Sequence, residues 1–105
     1  MPQFHLYKNS NKATQKTYPY LLDIQSNLLN DIRTTVVVPL MPNRLAGSHT
    51  ISRLNPVIRI KNEKFTVMTQ SLASIDRNIL GNSVGDLTDY RSEIFAAIDF
   101  VLSGI

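Results

Sequence analysis

The chain predicts a mainly β fold of the α+β kind, in which an antiparallel barrel or curled sheet of short strands is followed by one C-terminal helix. Three observations carry this. Runs of β-branched and aromatic residues are cut by turn residues over the first four-fifths of the chain. No strand–helix–strand rhythm interrupts them, which points to antiparallel meanders rather than a parallel sheet. Near the C-terminus the apolar residues then change to helical spacing.

Gln3–Lys8 alternates around Phe4 and Leu6, and Asn9-Ser10-Asn11-Lys12 supplies a turn or hairpin loop. Tyr18–Ile24 is aromatic and aliphatic, with Pro19 near its start suggesting an edge position. After the polar break Gln25–Asp31, Thr34–Val38 is β-branched throughout, as a strand buried on both faces would be. Pro39–Arg53, with Pro42 and Gly47, reads as a long irregular segment, and segments of that length in small domains are often functional. Val57–Ile60 and Phe65–Thr69 pair as a hairpin across Lys61-Asn62-Glu63-Lys64, and Gly81 and Gly85 straddle a further turn.

In the last segment Leu87, Tyr90, Ile94, Ala97, Ile98, Val101 and Leu102 recur at helical spacing. Thr88 is the expected N-cap, with Asp89 in the first turn where the helix dipole favours a carboxylate. Gly104 stands where a helix terminator belongs. Thr88–Ser103 would extend about 24 Å at ~1.5 Å per residue. Phe95 and Phe100 lie off the main stripe, so the helix has a second apolar side. Two readings stay open: a helix well buried in its own domain, or one that meets a second subunit.

At 105 residues, residues 1–105 are expected to form a single domain. Hydrophobic residues make up 43% and charged residues 18%, which argues against disorder. With no cysteine there is no disulfide framework and no thiolate nucleophile or ligand. The start lacks a charged-then-apolar secretion signal, and apolar runs such as Ile94–Ile98 are too short to cross a membrane, so a cytoplasmic protein with no membrane partner is expected. The net charge of +3 permits nucleic-acid binding without requiring it, since the basic residues are scattered. Their loosest cluster, Lys8-Lys12-Lys16, would suit an acidic protein partner equally well.

Chemistry is sparse. The two histidines, His5 in the first strand and His49 in the long segment, have no serine–acid spacing around them and read as structural or solvent-facing. No acid–histidine cluster has metal-ligand spacing, and no glycine-rich loop could cradle phosphate. No catalytic residue, metal or cofactor is therefore expected. Arg33, Arg44, Arg53 and Arg59 could in principle stabilise charge at a phosphate, because a small basic barrel can cleave RNA with little local signature. Surface arginines are the simpler reading.

Several stretches together resemble the CcdB family of toxin–antitoxin toxins. They are Gln3-Phe4-His5-Leu6-Tyr7, Leu22-Asp23-Ile24-Gln25-Ser26-Asn27-Leu28-Leu29, Val36-Val37-Val38-Pro39-Leu40 and Asn55-Pro56-Val57-Ile58-Arg59-Ile60. Val67-Met68-Thr69-Gln70-Ser71-Leu72-Ala73-Ser74-Ile75, Asp86-Leu87-Thr88 and Ser103-Gly104-Ile105 follow in the family's order and spacing. The resemblance implies an SH3-like curled antiparallel barrel, as in the CcdB and MazF toxins, closed by the C-terminal helix. It also implies a homodimer formed near the end of that helix, with Val101 and Ile105 at the interface.

The function so implied is poisoning of DNA gyrase, trapped on DNA it has cleaved, without catalysis by the poison itself. Ser103, Gly104 and Ile105 would insert at the dimer interface of the gyrase A subunit, with Leu28 and Leu29 as a supporting aliphatic pair and Asp99 and Leu102 beside them on the helix. DNA would be met only indirectly, through gyrase or an antitoxin complex. A CcdA-like antitoxin with a disordered acidic tail is the second implied partner. Lys8–Lys16 and the Pro39–Arg53 segment are its candidate surfaces. Two positions depart from the familiar pattern: Ser103 replaces a tryptophan and Asp76 a proline. A buried aromatic can be worth several kcal/mol at an interface, so Ser103 points to a compensating gyrase contact, or to poisoning that is weaker or aimed at another species' enzyme. Two alternatives follow: a ribonuclease toxin of the MazF-like group, or a non-toxic relative that keeps only antitoxin binding.

Overall fold

The computed structural model describes residues 3–47 and 50–104, which leaves His49 and Ile105 outside the described residues. In chain order the strands are β1 (His5–Asn9), β2 (Tyr20–Asp23), β3 (Thr34–Pro42), β4 (Val57–Ile60), β5 (Glu63–Val67), β6 (Ala73–Asp76) and β7 (Leu80–Asp86). A short helix α1 (Asn43–Ala46) follows β3, and α2 (Arg91–Ser103) follows β7. The strands form one curled antiparallel sheet in the order β4-β5-β3-β2-β1-β7, with β6 also pairing to β3. This is the expected SH3-like, mainly β architecture with a C-terminal helix.

Strand β3 explains most of the rest. One of its edges pairs with β2, from Tyr20↔Leu40 to Asp23↔Val37. Its other edge is divided between β6, at Thr34–Val37, and β5, at Leu40–Pro42. Successive strand residues point to opposite faces, and here both faces are filled. Leu6, Leu22, Val38 and Leu40 join Phe4, Ile58, Phe65, Val67, Leu87 and Ile94 in the main core. Tyr7, Leu21, Val37 and Leu80 form a smaller cluster on the other face. The registers Leu6↔Leu22↔Val38 and Tyr7↔Leu21 keep the two sets apart. The reading of Thr34–Val38 as buried on both faces therefore holds at Val37 and Val38, while Val36 is half-buried.

Helix α2 turns Ile94 and Ala97 inward. Phe95 meets Phe4 edge-to-face, with ring centroids 5.1 Å apart, and Phe100 lies beneath the Arg53 guanidinium at 5.1 Å. The second apolar side of the helix thus finds partners within the chain at both aromatic positions. Gly104 ends the helix as expected, in the left-handed conformation with φ 73°.

Several expectations are corrected. The irregular segment does not begin at Pro39, because Pro39–Pro42 complete β3. Pro39 is tolerated in a central strand because its carbonyl accepts from the Met68 N–H at 2.9 Å. Both backbone groups of an antiparallel residue face the same edge, so its missing N–H falls where the partner strand changes from β6 to β5. Pro19 does not mark an edge either: β2 lies between β1 and β3, and Pro19 stands just outside it, its carbonyl accepting from the Asn9 N–H at 3.0 Å. Asn9 is no simple turn residue. It ends β1, and its buried side chain organises the following loop through Thr14 Oγ1, the Tyr18 carbonyl and the Asn11 N–H.

The β4–β5 hairpin is tighter than read, with only Lys61 and Asn62 in the turn at φ 49° and 68°. Positive φ at both positions is the geometry that matches strand twist in a two-residue turn. Thr88 is not the N-cap of an α-helix. Thr88–Tyr90 form a 3₁₀ turn, and the α-helix begins at Arg91, about 20 Å long at ~1.5 Å per residue.

Gly81 and Gly85 both lie within β7 rather than around a turn. A Cβ at Gly81 would stand 2.9 Å from the Lys8 carbonyl oxygen, whereas one at Gly85 would meet nothing within 4 Å. Gly81→Ala should therefore destabilise the fold by about 1–3 kcal/mol, the usual range for overpacking. Gly85→Ala should be neutral or stabilising, because alanine restricts the unfolded chain more than glycine does. Urea unfolding of the two variants checks the contrast.

Candidate functional site

Two protruding segments carry the residues implicated by the sequence. The first is the β2–β3 loop. Ser26 starts a single 3₁₀ turn there, Asn27–Leu29, by accepting the Leu28 N–H at 3.2 Å. The Leu29, Asn30 and Ile32 N–H groups bond in turn to the Ser26, Asn27 and Leu29 carbonyls, at 3.0, 3.2 and 3.1 Å. With the backbone so occupied, the side chains point outward: Leu28 is 93% exposed, Leu29 44% and Ile32 47%. Burying one such leucine in a partner is worth about 1.5–3 kcal/mol.

This loop is tied at both ends. The Gln3 N–H donates to Asn27 Oδ1 at 2.6 Å, and Gln3 Nε2 donates to the Ile24 carbonyl at 2.9 Å. Gln25 Nε2 reaches the Thr34 carbonyl at 3.2 Å. Asp23, which leads into the loop, is fully buried and accepts from the Thr35 hydroxyl at 2.8 Å and the Gln25 N–H at 3.1 Å. Tyr7 shares that side of the sheet. Burial, with the Asp23 carboxylate second, raises its phenol above the ordinary tyrosine range against the opposing pull of Arg77.

The second segment is the end of α2. Asp99, Leu102, Ser103 and Gly104 are exposed there, Leu102 at 75%, and Val101 is half-buried. Ser103 donates its hydroxyl back to the Asp99 carbonyl at 2.7 Å, and the Gly104 N–H caps the helix on the Phe100 carbonyl at 2.8 Å. The Ser103 side chain is thus turned onto its own helix, and Leu102 is the large apolar group this end presents. Ile105 lies outside the described residues. Among the described residues no hydrogen bond or ion pair joins the two segments. Ile32 was not anticipated, because an isolated isoleucine in a polar stretch carries no periodic signal.

The structure also shows what the basic and titratable residues do. His5 lies on β1 with its Nε2 3.7 Å from Asp86 Oδ2 and its Nδ1 3.4 Å from the Ser83 hydroxyl. Arg33 pairs with Asp76 at 3.3 Å, and Arg53 covers Phe100. Arg44 is exposed on α1 and Arg59 on β4. Among the described residues no group of three histidines or acids could hold a metal. No helix there is long and apolar enough to cross a membrane. An apolar cleft of about 210 Å³, lined by Leu21, Val37, Pro39, Ile75 and Ile79 and by Tyr18 of the β1–β2 loop, opens on the second face of the sheet.

The N-cap position of α2 is Tyr90, with no side-chain cap, and Asp86 instead ties the turn that precedes the helix. Its Oδ1 accepts the Thr88 N–H at 2.9 Å and the Thr88 hydroxyl, fixing the turn that leads into α2. The Thr88 hydroxyl first, the Thr88 N–H next and His5 last hold the Asp86 carboxyl below the ordinary aspartate range, against a smaller opposing effect of burial. A carboxylate with a depressed folded-state pKa stabilises the fold above its unfolded value, and that contribution is lost as pH falls through the folded value. Asp86→Ala should therefore lower the urea midpoint at pH 7, and the gap to the native chain should narrow as pH falls through the folded-state value of Asp86.

The comparisons with known proteins agree on the fold. In the solved structure described as an endoribonuclease in complex with its cognate antitoxin from Mycobacterial species, the matched chain superposes with a TM-score of 0.77 at 17% identity, over 97% of this chain and 94% of that one. A second, described as an endoribonuclease from Mycobacterial species, has a TM-score of 0.71 at 18% identity, over 97% and 90%. At such identities the likeness concerns the fold alone. The sequence model of the family described as CcdB protein matches residues 3–104, essentially every described residue, and the chain belongs to the CcdB family.

Proposed function

We propose that this chain is the toxin of a toxin–antitoxin pair, a single domain over residues 1–105 that poisons DNA gyrase by docking on its A subunit and holding the enzyme on cleaved DNA. The observation that carries the reading is the β2–β3 turn, which exposes Leu28 and Leu29 on a backbone whose Leu28, Leu29 and Asn30 N–H groups are all hydrogen-bonded. An ordered apolar turn binds at lower entropic cost than a flexible one. Leu28 and Leu29 act with Asp99, Leu102, Ser103, Gly104 and Ile105, the positions that the family resemblance implicates. Docking of this kind needs no acid, base, metal or cofactor from the chain. It needs matching two-fold surfaces, supplied by a homodimer formed through Val101 and Ile105. DNA is contacted only through gyrase or the antitoxin complex.

The second partner is a CcdA-like antitoxin. The apolar cleft beside the β1–β2 loop supports a surface there, since Lys12 and Lys16 of that loop are exposed and would favour an acidic segment. A ribonuclease reading is kept because the two superposed structures are described as endoribonucleases. A non-toxic relative is the third reading, motivated by Ser103, whose hydroxyl bonds back to its own helix.

Incubating the protein with gyrase and supercoiled plasmid, then denaturing, should release linear DNA. Leu28→Asp with Leu29→Asp should reduce that product at least about tenfold, given the apolar area withdrawn from the interface. Gly104→Asn keeps a left-handed helix end and should retain trapping, whereas Gly104→Glu should abolish it in a folded dimer. Absence of linear DNA, or normal trapping by Gly104→Glu, contradicts the assigned site. RNA cut in the absence of gyrase would establish the ribonuclease reading instead, and unimpaired growth of a gyrase-sensitive host expressing soluble protein would favour the non-toxic one.

A further inference from the structure

We infer that Arg77 is a positioning residue for partner docking: its guanidinium clamps the exposed Leu28–Leu29 turn onto the buried Asp23 carboxylate and holds that turn in its binding shape. The inference rests on the gyrase reading of the turn for the identity of the partner, but not for the clamp itself.

Arg77 follows the last residue of β6, and its backbone N–H donates to the Arg33 carbonyl at 3.0 Å. Its side chain, only 14% exposed, reaches three points with one rigid fork. Nε donates to the Ile32 carbonyl at 2.7 Å, and Nη2 donates to the Leu29 carbonyl at 3.2 Å. Nη1 stands 3.7 Å from Asp23 Oδ2, and both atoms are buried without a hydrogen bond of their own. That distance is too long for a direct bond, so the two charges hold each other by attraction. Asp23 cannot move to close the gap, because its other oxygen is bonded to Thr35 and to the Gln25 N–H. A fixed charge in the sheet thus fixes the guanidinium, and the guanidinium fixes two carbonyls of the loop.

The exposed ends of the turn have few other ties. Ser26 and Gln3 hold its first half, while Leu29–Ile32 is held by its own turn bonds and by Arg77. Arg33 adds an exposed ion pair to Asp76, a weaker and screened contact. A lysine could reach Asp23 or one carbonyl, but its single ammonium cannot span all three points. If the turn is ordered for only a fraction of the time, apparent affinity falls by that fraction.

The test combines amide hydrogen exchange with binding to the gyrase A subunit. Arg77→Lys keeps the charge and loses the fork. Asp23→Asn with Arg77→Met removes both charges, so that no buried carboxylate is left unpaired. In both variants the Leu29, Asn30 and Ile32 amides should exchange about tenfold faster while the β2 and β3 amides keep their rates, and gyrase binding should weaken about tenfold in parallel. In a Leu28→Ala, Leu29→Ala background, Arg77→Lys should then have little further effect on binding. Unchanged exchange at the turn in Arg77→Lys overturns the inference. So does an equal loss of binding with and without the two leucines, which would mark a direct contact or a general loss of fold. If the native chain fails to bind gyrase A while the turn still loosens, the gyrase reading falls and the clamp stands for another partner.

Discussion

The register of β3 against β2 is the constraint from which the rest follows. With Val38 opposite Leu22, the residues Leu6, Leu22, Val38 and Leu40 all face α2 and the main core. Residues of the other parity then have to face the opposite side together. A one-residue slip would exchange the two sets and bury the wrong one. That second side is not uniformly apolar. Tyr7, Leu21 and Val37 share it with Asp23 and Thr35, which is how a carboxylate comes to be buried where the sheet runs into the β2–β3 loop. A buried carboxylate is costly unless it is bonded and countered, and here Thr35, the Gln25 N–H and Arg77 do this between them.

The same arrangement links packing to docking. A small domain gains little from further core, but its loops can be made stiff by what they are tied to. The β2–β3 turn is tied to Gln3 before β1, to Thr34 at the start of β3 and to Arg77 after β6. Three separate parts of the chain therefore hold one exposed pair of leucines. The end of α2 is stiffened differently, by a left-handed glycine and a serine bonded back to the previous turn. In the proposed docking, Ile32 and Leu102 contribute apolar area that partly offsets the missing aromatic at position 103.

The fold was legible where the pattern is redundant. The β-branched run at Thr34–Val38, the helical spacing from Ile94 to Leu102 and Gly104 at the helix end each led to the observed element. The reading failed where tertiary pairing overrides local signals. Pro39 reads as a breaker but lies at a change of strand partner, and Pro19 reads as an edge marker but stands just outside an interior strand. β6 and β7 were not recognised because Ala73–Asp76 and Leu80–Asp86 contain glycine, serine, asparagine and aspartate, and their place comes from pairing with β3 and β1. Leu28, Leu29 and the helix end were named through the family resemblance, since exposed leucines in a polar loop carry no sequence signal of their own. Arg77 was invisible for a different reason: its partners are backbone carbonyls 45 and 48 residues away.

In the proposed docking the end of α2 inserts at the dimer interface of the gyrase A subunit, and position 103 tests this most directly. Ser103 is exposed and, among the described residues, its hydroxyl bonds to its own helix at the Asp99 carbonyl, so a larger side chain there projects away from the described core. Measured by calorimetry against the gyrase A subunit, Ser103→Trp should bind at least about tenfold more tightly than the native chain, as expected when a buried aromatic is added at the centre of an interface. Unchanged or weaker binding by a folded Ser103→Trp protein would contradict the account.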